Sequence, residues 1–384
     1  MTDTTASPVP FLMRMALLPP GVLLSAGLGL FSALALPELM GDSCTFDEGT
    51  HVSSGLSYAA LQDYRMSIDN PPLAKVFCSI PLLIMDVHLP QDPGIWARAD
   101  RHGFAYRFLY QEGNDPNQIL FWSRLGVLFW ALVLVASIYA ASREWFGPVG
   151  GLLSLLVAAS CPTLLSHGHL MTTDVPAAAM GFLALIAFRK VLREERPAIS
   201  LACGILLGGA LTSKHNAVLL VPIFGILAAM HQSARPDGSK AWKKSLLPLG
   251  LVAGAAWLTV WGAYGFRFTG APDPGFAFPW DSLETRDTMV VRTLRTVRSL
   301  RLLPDAYLYG IAVVQENTSL GHDAYALGMH SRTGWVWYFP LAFLVKTPEA
   351  WLVLFRPFVE TRCNYKAPPF SKSIAKCRLY VRCF

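Results

Sequence analysis

The stretch MALLPPGVLLSAGLGLFSALALPE, residues 15–38, divides the readings of this chain. Read as a cleaved signal, it says nothing about the mature protein; read as a retained span, it makes the chain a membrane protein and sets its topology. Its apolar run exceeds the roughly 7–15 residues of a signal core. It carries Pro19-Pro20 inside, and no small-residue cleavage site follows it. We read it as the first membrane span.

Composition agrees. Of 384 residues, 53% are hydrophobic and 15% charged, and the mean hydropathy is +0.39, too apolar for a soluble protein of this size. A span needs roughly 20 apolar residues. Further windows of about that length fall at 119–141, 148–167, 174–191, 197–213, 215–231, 246–265 and 335–355. The expected fold is therefore an all-α integral membrane protein with about eight transmembrane helices and two long outer loops containing interfacial helices.

Orientation follows from Lys and Arg, which short loops retain on the cytoplasmic side. Arg143, then Arg189, Lys190, Arg193 and Arg196, then Arg235, Lys240, Lys243 and Lys244 follow even-numbered spans, as does the basic tail from Arg356. The amino terminus is thus expected inside. Residues 39–118, the turn at 167–174, the turn at 212–216 and residues 266–334 are expected outside. Loop retention accounts for the formal charge of +6, so no nucleic-acid partner is assigned.

Loops as long as the two outer segments are usually functional in a compact protein. In the first, His51 to Leu61 places Val52, Leu56, Ala59 and Ala60 at helical spacing, the pattern of a helix lying at the interface with one apolar face. Pro71-Pro72 opens a second segment, Leu73 to Leu89, expected to dip into the headgroup layer; Lys75 and Pro81 interrupt it too much for a span. Gly270 to Pro279 reads as an irregular loop, and there is no internal repeat. Of seven cysteines, Cys44 and Cys78 lie in the first outer segment, Cys161 and Cys203 in spans, and Cys363, Cys377 and Cys383 in the tail. A Cys44–Cys78 disulfide suits an oxidising compartment, but sequence does not fix their separation. No pair has zinc-site spacing.

Chemistry gathers on the outer side. Asp47, Glu48 and His51 occupy neighbouring parts of one helix face. A carboxylate there can take a proton from an acceptor, and a neighbouring acid or imidazole can orient it or hold a metal. The plainer reading is a capping box, Thr45 with Glu48 three residues on. Asp174 sits where the chain re-enters the membrane, after His167 and His169, and Pro176 favours a capping role for it. Lys214 and His215 lie in a tight outer turn, where the lysine either snorkels or holds a phosphate. Farther on come His322, Asp323 and Arg332, then Lys346 within the last expected span, where a charge is costly and by default functional or paired. Carboxylates, histidines and cations around a cavity beside lipid suit a lipid-phosphate substrate. Residue chemistry alone reaches a membrane enzyme or transporter of an anionic lipid.

A resemblance extends this. Asp47-Glu48 and His51 after one span, Asn70-Pro71-Pro72-Leu73-Ala74-Lys75 followed by Pro81-Leu82-Leu83, Thr173-Asp174-Val175-Pro176, Leu211-Thr212-Ser213-Lys214, the stretch from Gly321-His322-Asp323 to Gly328, Gly334-Trp335-Val336-Trp337-Tyr338-Phe339-Pro340 and Lys346-Thr347-Pro348 come in an order that resembles the C-type membrane glycosyltransferases. Specifically, it resembles the group of dolichyl-phosphate-mannose protein mannosyltransferases and lipid A aminoarabinose transferases, bacterial members included. It covers about residues 12–355, read as one membrane domain, 1–355. The resemblance implies a sugar carried on a polyprenyl phosphate, a protein or lipid acceptor, and inverting transfer on the periplasmic face of an inner membrane. It implies Asp47 as catalytic base, Glu48 as a catalytic-site residue assisting acceptor or donor binding, and Asp174 as the second acidic residue of the catalytic cavity. His51, His322 and Arg332 are candidate substrate contacts, and Glu48, His51 and His322 could supply metal ligands. By charge and side alone, Lys75, Lys214 and Lys346 are candidates for the donor phosphate. Some members use a divalent metal and others none, so the metal is left open.

Residues 356–384 depart from the family: three cysteines, several Lys and Arg and no apolar period, where members continue through further spans. The expectation is a cytoplasmic tail on a truncated or frameshifted copy lacking part of the donor-lipid groove. The rival function is a binder or translocator of lipid-linked sugars that performs no chemistry.

Overall fold

The computed structural model describes residues 11–347 except 195, 234–238, 274, 286 and 322. His322, residues 348–355 of the last expected span and the tail with its three cysteines therefore lie outside the described residues.

The chain is helical nearly throughout. A short α1 (Phe11–Ala16) precedes α2 (Pro20–Gly41), the span quoted above. The first outer segment folds as α3 (Phe46–Leu61), α4 (Pro72–Ser79) continued by a 3-10 turn (Ile80–Ile84), α5 (Pro93–Arg98) and α6 (Arg101–Tyr110). Next come α7 (Pro116–Ala159), α8 (Pro162–Gly168), α9 (Asp174–Glu194) and α10 (Pro197–Leu211). A 3-10 turn (His215–Leu219) leads into α11 (Leu220–Ser233) and α12 (Ser239–Ala263). The second outer segment holds α13 (Met289–Ser299), α14 (Asp305–Leu320) and a hairpin of β1 (Ala324–Ala326) with β2 (Met329–Ser331), and α15 (Tyr338–Lys346) follows. The hairpin turns at Leu327 and Gly328, both at positive φ, as a tight two-residue connection requires.

Five helices among the described residues are long and apolar enough to cross a membrane: Pro20–Gly41, Pro116–Ala159, Asp174–Glu194, His215–Ser233 and Lys244–Ala263. The 44-residue α7 contains the expected window at 119–141 and most of the one at 148–167, and it is not straight. Gly147 breaks it at φ 74° and ψ −175°. A Cβ on Gly151 would lie 2.7 Å from Arg143 Cβ, whereas eight residues of straight helix span about 12 Å. The chain therefore doubles back at Gly147, and α7 is a hairpin of two arms. The window at 197–213 forms the shorter α10, packed closely on α12, where a Cβ on Gly204 would come within 2.4 Å of the Val252 carbonyl oxygen. Only 17% of the apolar window of His215–Ser233 is buried within the protein; exposed Ile223, Ile226 and Met230 fit a helix that faces lipid.

Four separate segments meet at one end of the bundle. Arg267 donates to the Gln62 carbonyl, and Tyr64 N to Gly270 O at 2.7 Å. Leu73 N donates to Thr212 O at 2.9 Å, and Thr173 Oγ1 to Asn70 Oδ1 at 3.3 Å. Arg189 pairs with Glu144 at 2.8 Å, joining two of the segments whose basic residues were expected inside. We label the end with the four segments the outer end, from the loop charges.

One expectation is corrected here. α3 does not lie at the interface: every residue from Glu48 to Tyr58 is buried. Its sequence misled because it is rich in Ser and Gly. The hydroxyls of Ser53 and Ser54 donate back to the carbonyls of Gly49 and Thr50 at 2.7 and 2.6 Å, so they enter the interior satisfied. Gly55 lets α4 approach until a Cβ there would sit 2.4 Å from the Lys75 carbonyl oxygen. Cys78, opposite Gly126 of α7, and Cys44 are free thiols.

Candidate functional site

The site is built on the first turn of α3. Thr45 is its N-cap: Thr45 N and Oγ1 donate to Glu48 Oε2 at 2.9 and 3.0 Å, the expected capping box. Glu48 does much more. Arg124 of α7 donates from Nε to Oε1 and from Nη2 to Oε2, both at 2.8 Å, and Met171 N donates to Oε1 at 2.7 Å. The remaining capacity of Arg124 goes to the carbonyls of Leu39, Asp42 and Ser43 at 2.9–3.1 Å. Burial pushes the Glu48 carboxyl up, but Arg124 and the two N–H donors outweigh it and hold it below its ordinary value. Both side chains are enclosed, at 0% and 2% exposure. This forked, charge-assisted pair ties α2, α3, α7 and the approach to α9 into one rigid corner. Beside it, His169 Nε2 meets Asp42 Oδ2 at 2.8 Å.

The neighbouring residue has the opposite fate. Asp47 is exposed, and its carboxylate makes no hydrogen bond or ion pair among the described residues; its carbonyl accepts from Thr50 Oγ1 at 2.8 Å. It lines a polar cavity of about 190 Å³ with Thr50 and His51 of α3, Ser67, Asp69 and Asn70, Arg101 and His102 at the start of α6, Thr172 to Asp174 at the start of α9, and Lys214. Two ion pairs sit in its wall: Asp174 with Lys214, and Asp69 with Arg101 at 2.7 Å. Burial pushes Asp69 up, but Arg101 and Lys75 outweigh it and keep it low. Burial, reinforced by Lys75, pushes the His51 imidazole down to about 3, so it is neutral at physiological pH. The enclosed atoms His51 Nδ1 and Thr172 Oγ1 have no hydrogen-bond partner, an uncommon state for buried polar groups outside a ligand site.

The cavity thus unites Asp47, His51, Asp174 and Lys214 from the sequence expectation and leaves others apart. Glu48 is sealed behind Arg124, out of reach of a substrate. Lys75 is also enclosed, at 0% exposure: its Nζ donates to Ser67 O at 2.8 Å and Tyr58 Oη at 3.2 Å, and burial pushes it down to about 7. That placement does not fit a phosphate ligand. Arg332 lies beside β2 with Asp323 at 3.4 Å, both more than 80% exposed, and Lys346 ends α15, exposed; neither lines the cavity. Among the described residues no three His, Cys, Asp or Glu side chains gather to hold a metal ion, and Glu48, one of the suggested ligands, is committed to Arg124. Sequence reading missed Asp69 and Arg101. Asp69 lies just before the quoted Asn70-Pro71-Pro72 motif, which was a usable signal; Arg101, in a polar loop stretch, offered none.

Two further cavities bear on the site. One of about 490 Å³, almost wholly apolar, lies among α9 to α14 and is lined by Leu211, Val218, Phe224, Val252 and Tyr307; Leu211 and Val218 flank Lys214 in sequence. The other, about 480 Å³, shares Ser67 and Arg101 with the polar cavity and adds Arg65, Arg98, Phe276, Phe278 and Tyr309.

Residues 118–261 match the family model of the dolichyl-phosphate-mannose-protein mannosyltransferases. The match runs from α7 through most of α12, so it takes in Arg124, Asp174 and Lys214 but not Asp47, Glu48 or Asp69. No curated protein and no solved structure matches the chain.

Proposed function

We propose that this chain is a membrane glycosyltransferase of the kind its central helices match, moving a sugar from a polyprenyl-phosphate carrier to an acceptor at the outer face of an inner membrane. The observation that carries this reading is the contrast between adjacent carboxylates. Glu48 is locked away, while the Asp47 carboxylate stands unpaired in a polar cavity that also holds Lys214 and Arg101, and Leu211 and Val218, on either side of Lys214 in sequence, line the apolar cavity.

In this reading the carrier's chain occupies the 490 Å³ cavity, and its phosphate lies near Lys214, the one of the three candidate lysines that lines the polar cavity. The acceptor approaches through the cavity of Arg98 and Phe276. Asp47 takes the acceptor's proton. The acceptor oxygen bonds to the anomeric carbon from the face opposite the phosphate, and the bond from that carbon to the phosphate oxygen breaks with its electron pair on the oxygen. Configuration inverts, and Lys214 and Arg101 stabilise the departing charge. Asp174 holds Lys214 in place. Glu48 acts through Arg124 by positioning the turn that carries Asp47.

The test is to reconstitute the chain in proteoliposomes with polyprenyl-phosphate sugars labelled in the sugar, add a cell-envelope extract as acceptor, and follow label leaving the carrier. Label transfer that depends on the protein supports the reading. Donor bound without transfer supports the alternative, a binder or translocator of lipid-linked sugars.

A further inference from the structure

From α13 into the turn that follows it, arginine recurs at every third position: Arg292, Arg295, Arg298 and Arg301. The protein's own acids use only the middle two. Arg295 meets Asp281 at 3.0 Å and the Trp280 carbonyl at 2.6 Å, and Arg298 forks onto Asp305 at 2.7 and 3.2 Å. Arg292 and Arg301 are exposed, and their guanidinium groups have no hydrogen bond or ion pair among the described residues; that of Arg301 lies over the Phe268 ring at 5.2 Å.

The depth of this helix is fixed by tryptophans. The Leu302 carbonyl, just past α13, accepts from Trp257 Nε1 at 2.7 Å and Trp261 Nε1 at 3.1 Å. Both indoles belong to the last two turns of α12, a membrane-crossing candidate, and such rings mark the headgroup level. Met289, Val290, Leu300 and Leu302 are 85%, 43%, 64% and 48% exposed, while Leu294 and Val297 line the apolar cavity below. A helix tied to the end of a span, with bare apolar side chains and two unpaired arginines, has the features of one lying in the interface.

We propose that α13 is a docking site for anionic phospholipid headgroups, with Arg292 and Arg301 each taking a lipid phosphate. Arg292 lies in the first turn of α13 and Arg301 past its end, at φ 51°; the helical rise from 292 to 299 alone is about 10 Å, so they reach separate headgroups. Charge complementarity selects the occupant: each side chain brings a positive charge to the level of the lipid phosphates, and among the described residues no carboxylate pairs with either. Leu294 and Val297 of α13 line the apolar cavity, but neither arginine lines that cavity or the polar one, so the phosphate contacts do not rest on the transferase reading.

The experiment places the full chain in nanodiscs of phosphatidylcholine containing brominated phosphatidylglycerol or brominated phosphatidylcholine. Quenching of Trp257 is taken as the difference from a Trp257→Phe variant. The site predicts preferential quenching by the anionic lipid, about fivefold per arginine. That preference is lost in Arg292→Gln/Arg301→Gln and kept in Arg292→Lys/Arg301→Lys. Equal quenching by both lipids, a preference that survives the glutamine pair, or its loss in the lysine pair would each overturn the proposal.

Discussion

Asp47 and Glu48 are chemically alike and adjacent, yet one is exposed and unpaired while the other is sealed. Consecutive helical residues point about 100° apart, and here Asp47 faces the cavity while Glu48 turns to Arg124. The sequence does not say which of the two is sealed, because the deciding partner, Arg124, lies 76 positions away. The capping box was legible in the Thr45–Glu48 spacing; the guanidinium clamp was not. The consequence is a stability prediction. Glu48→Ala leaves Arg124 charged and enclosed without its counter-ion, which costs about 3–5 kcal/mol, read as a large fall in apparent Tm in detergent. Asp47→Asn, at an exposed and unpaired position, should leave Tm unchanged. Equal effects of the two substitutions would remove the distinction drawn between them.

At the scale of elements, apolar length located the helices well because a span must bury a fixed length in lipid. Windows at 15–38 and 174–191 correspond to α2 and α9. Patterning failed on α3, where serine and glycine read as surface but serve close packing, and it could not show that the first outer segment closes over the site. The hairpin in α7 was legible only as two adjacent windows. Gly147 makes it, in a backbone region that is essentially reserved for glycine. Nothing lies within 4 Å of where its Cβ would be, so Gly147→Ala should cost about 1–3 kcal/mol through backbone strain alone. Thermal unfolding of that variant beside Gly150→Ala, which meets Phe146 Cβ instead, separates strain from crowding; no loss of stability in Gly147→Ala would argue against the reversal.

For the whole molecule, five stretches of sequence build one cavity: α3, the loop before α4, the starts of α6 and α9, and the turn at Lys214. The family match supplies the central helices, and the acid proposed to do the chemistry comes from the loop before them. That division explains how the site could be read only in part. Asp47, His51, Asp174 and Lys214 were visible as chemistry on one expected side, whereas Asp69 and Arg101 come into view only when the loops are folded together.

The central claim is that Asp47 is the base of a transfer reaction, and its most direct test compares the protein with Asp47→Asn in one preparation, measuring donor Kd and single-turnover sugar transfer together. The account predicts a transfer rate lower by about 10²–10⁴-fold, the usual contribution of a general base, with donor Kd essentially unchanged. Transfer that persists at the unsubstituted rate in Asp47→Asn would contradict it.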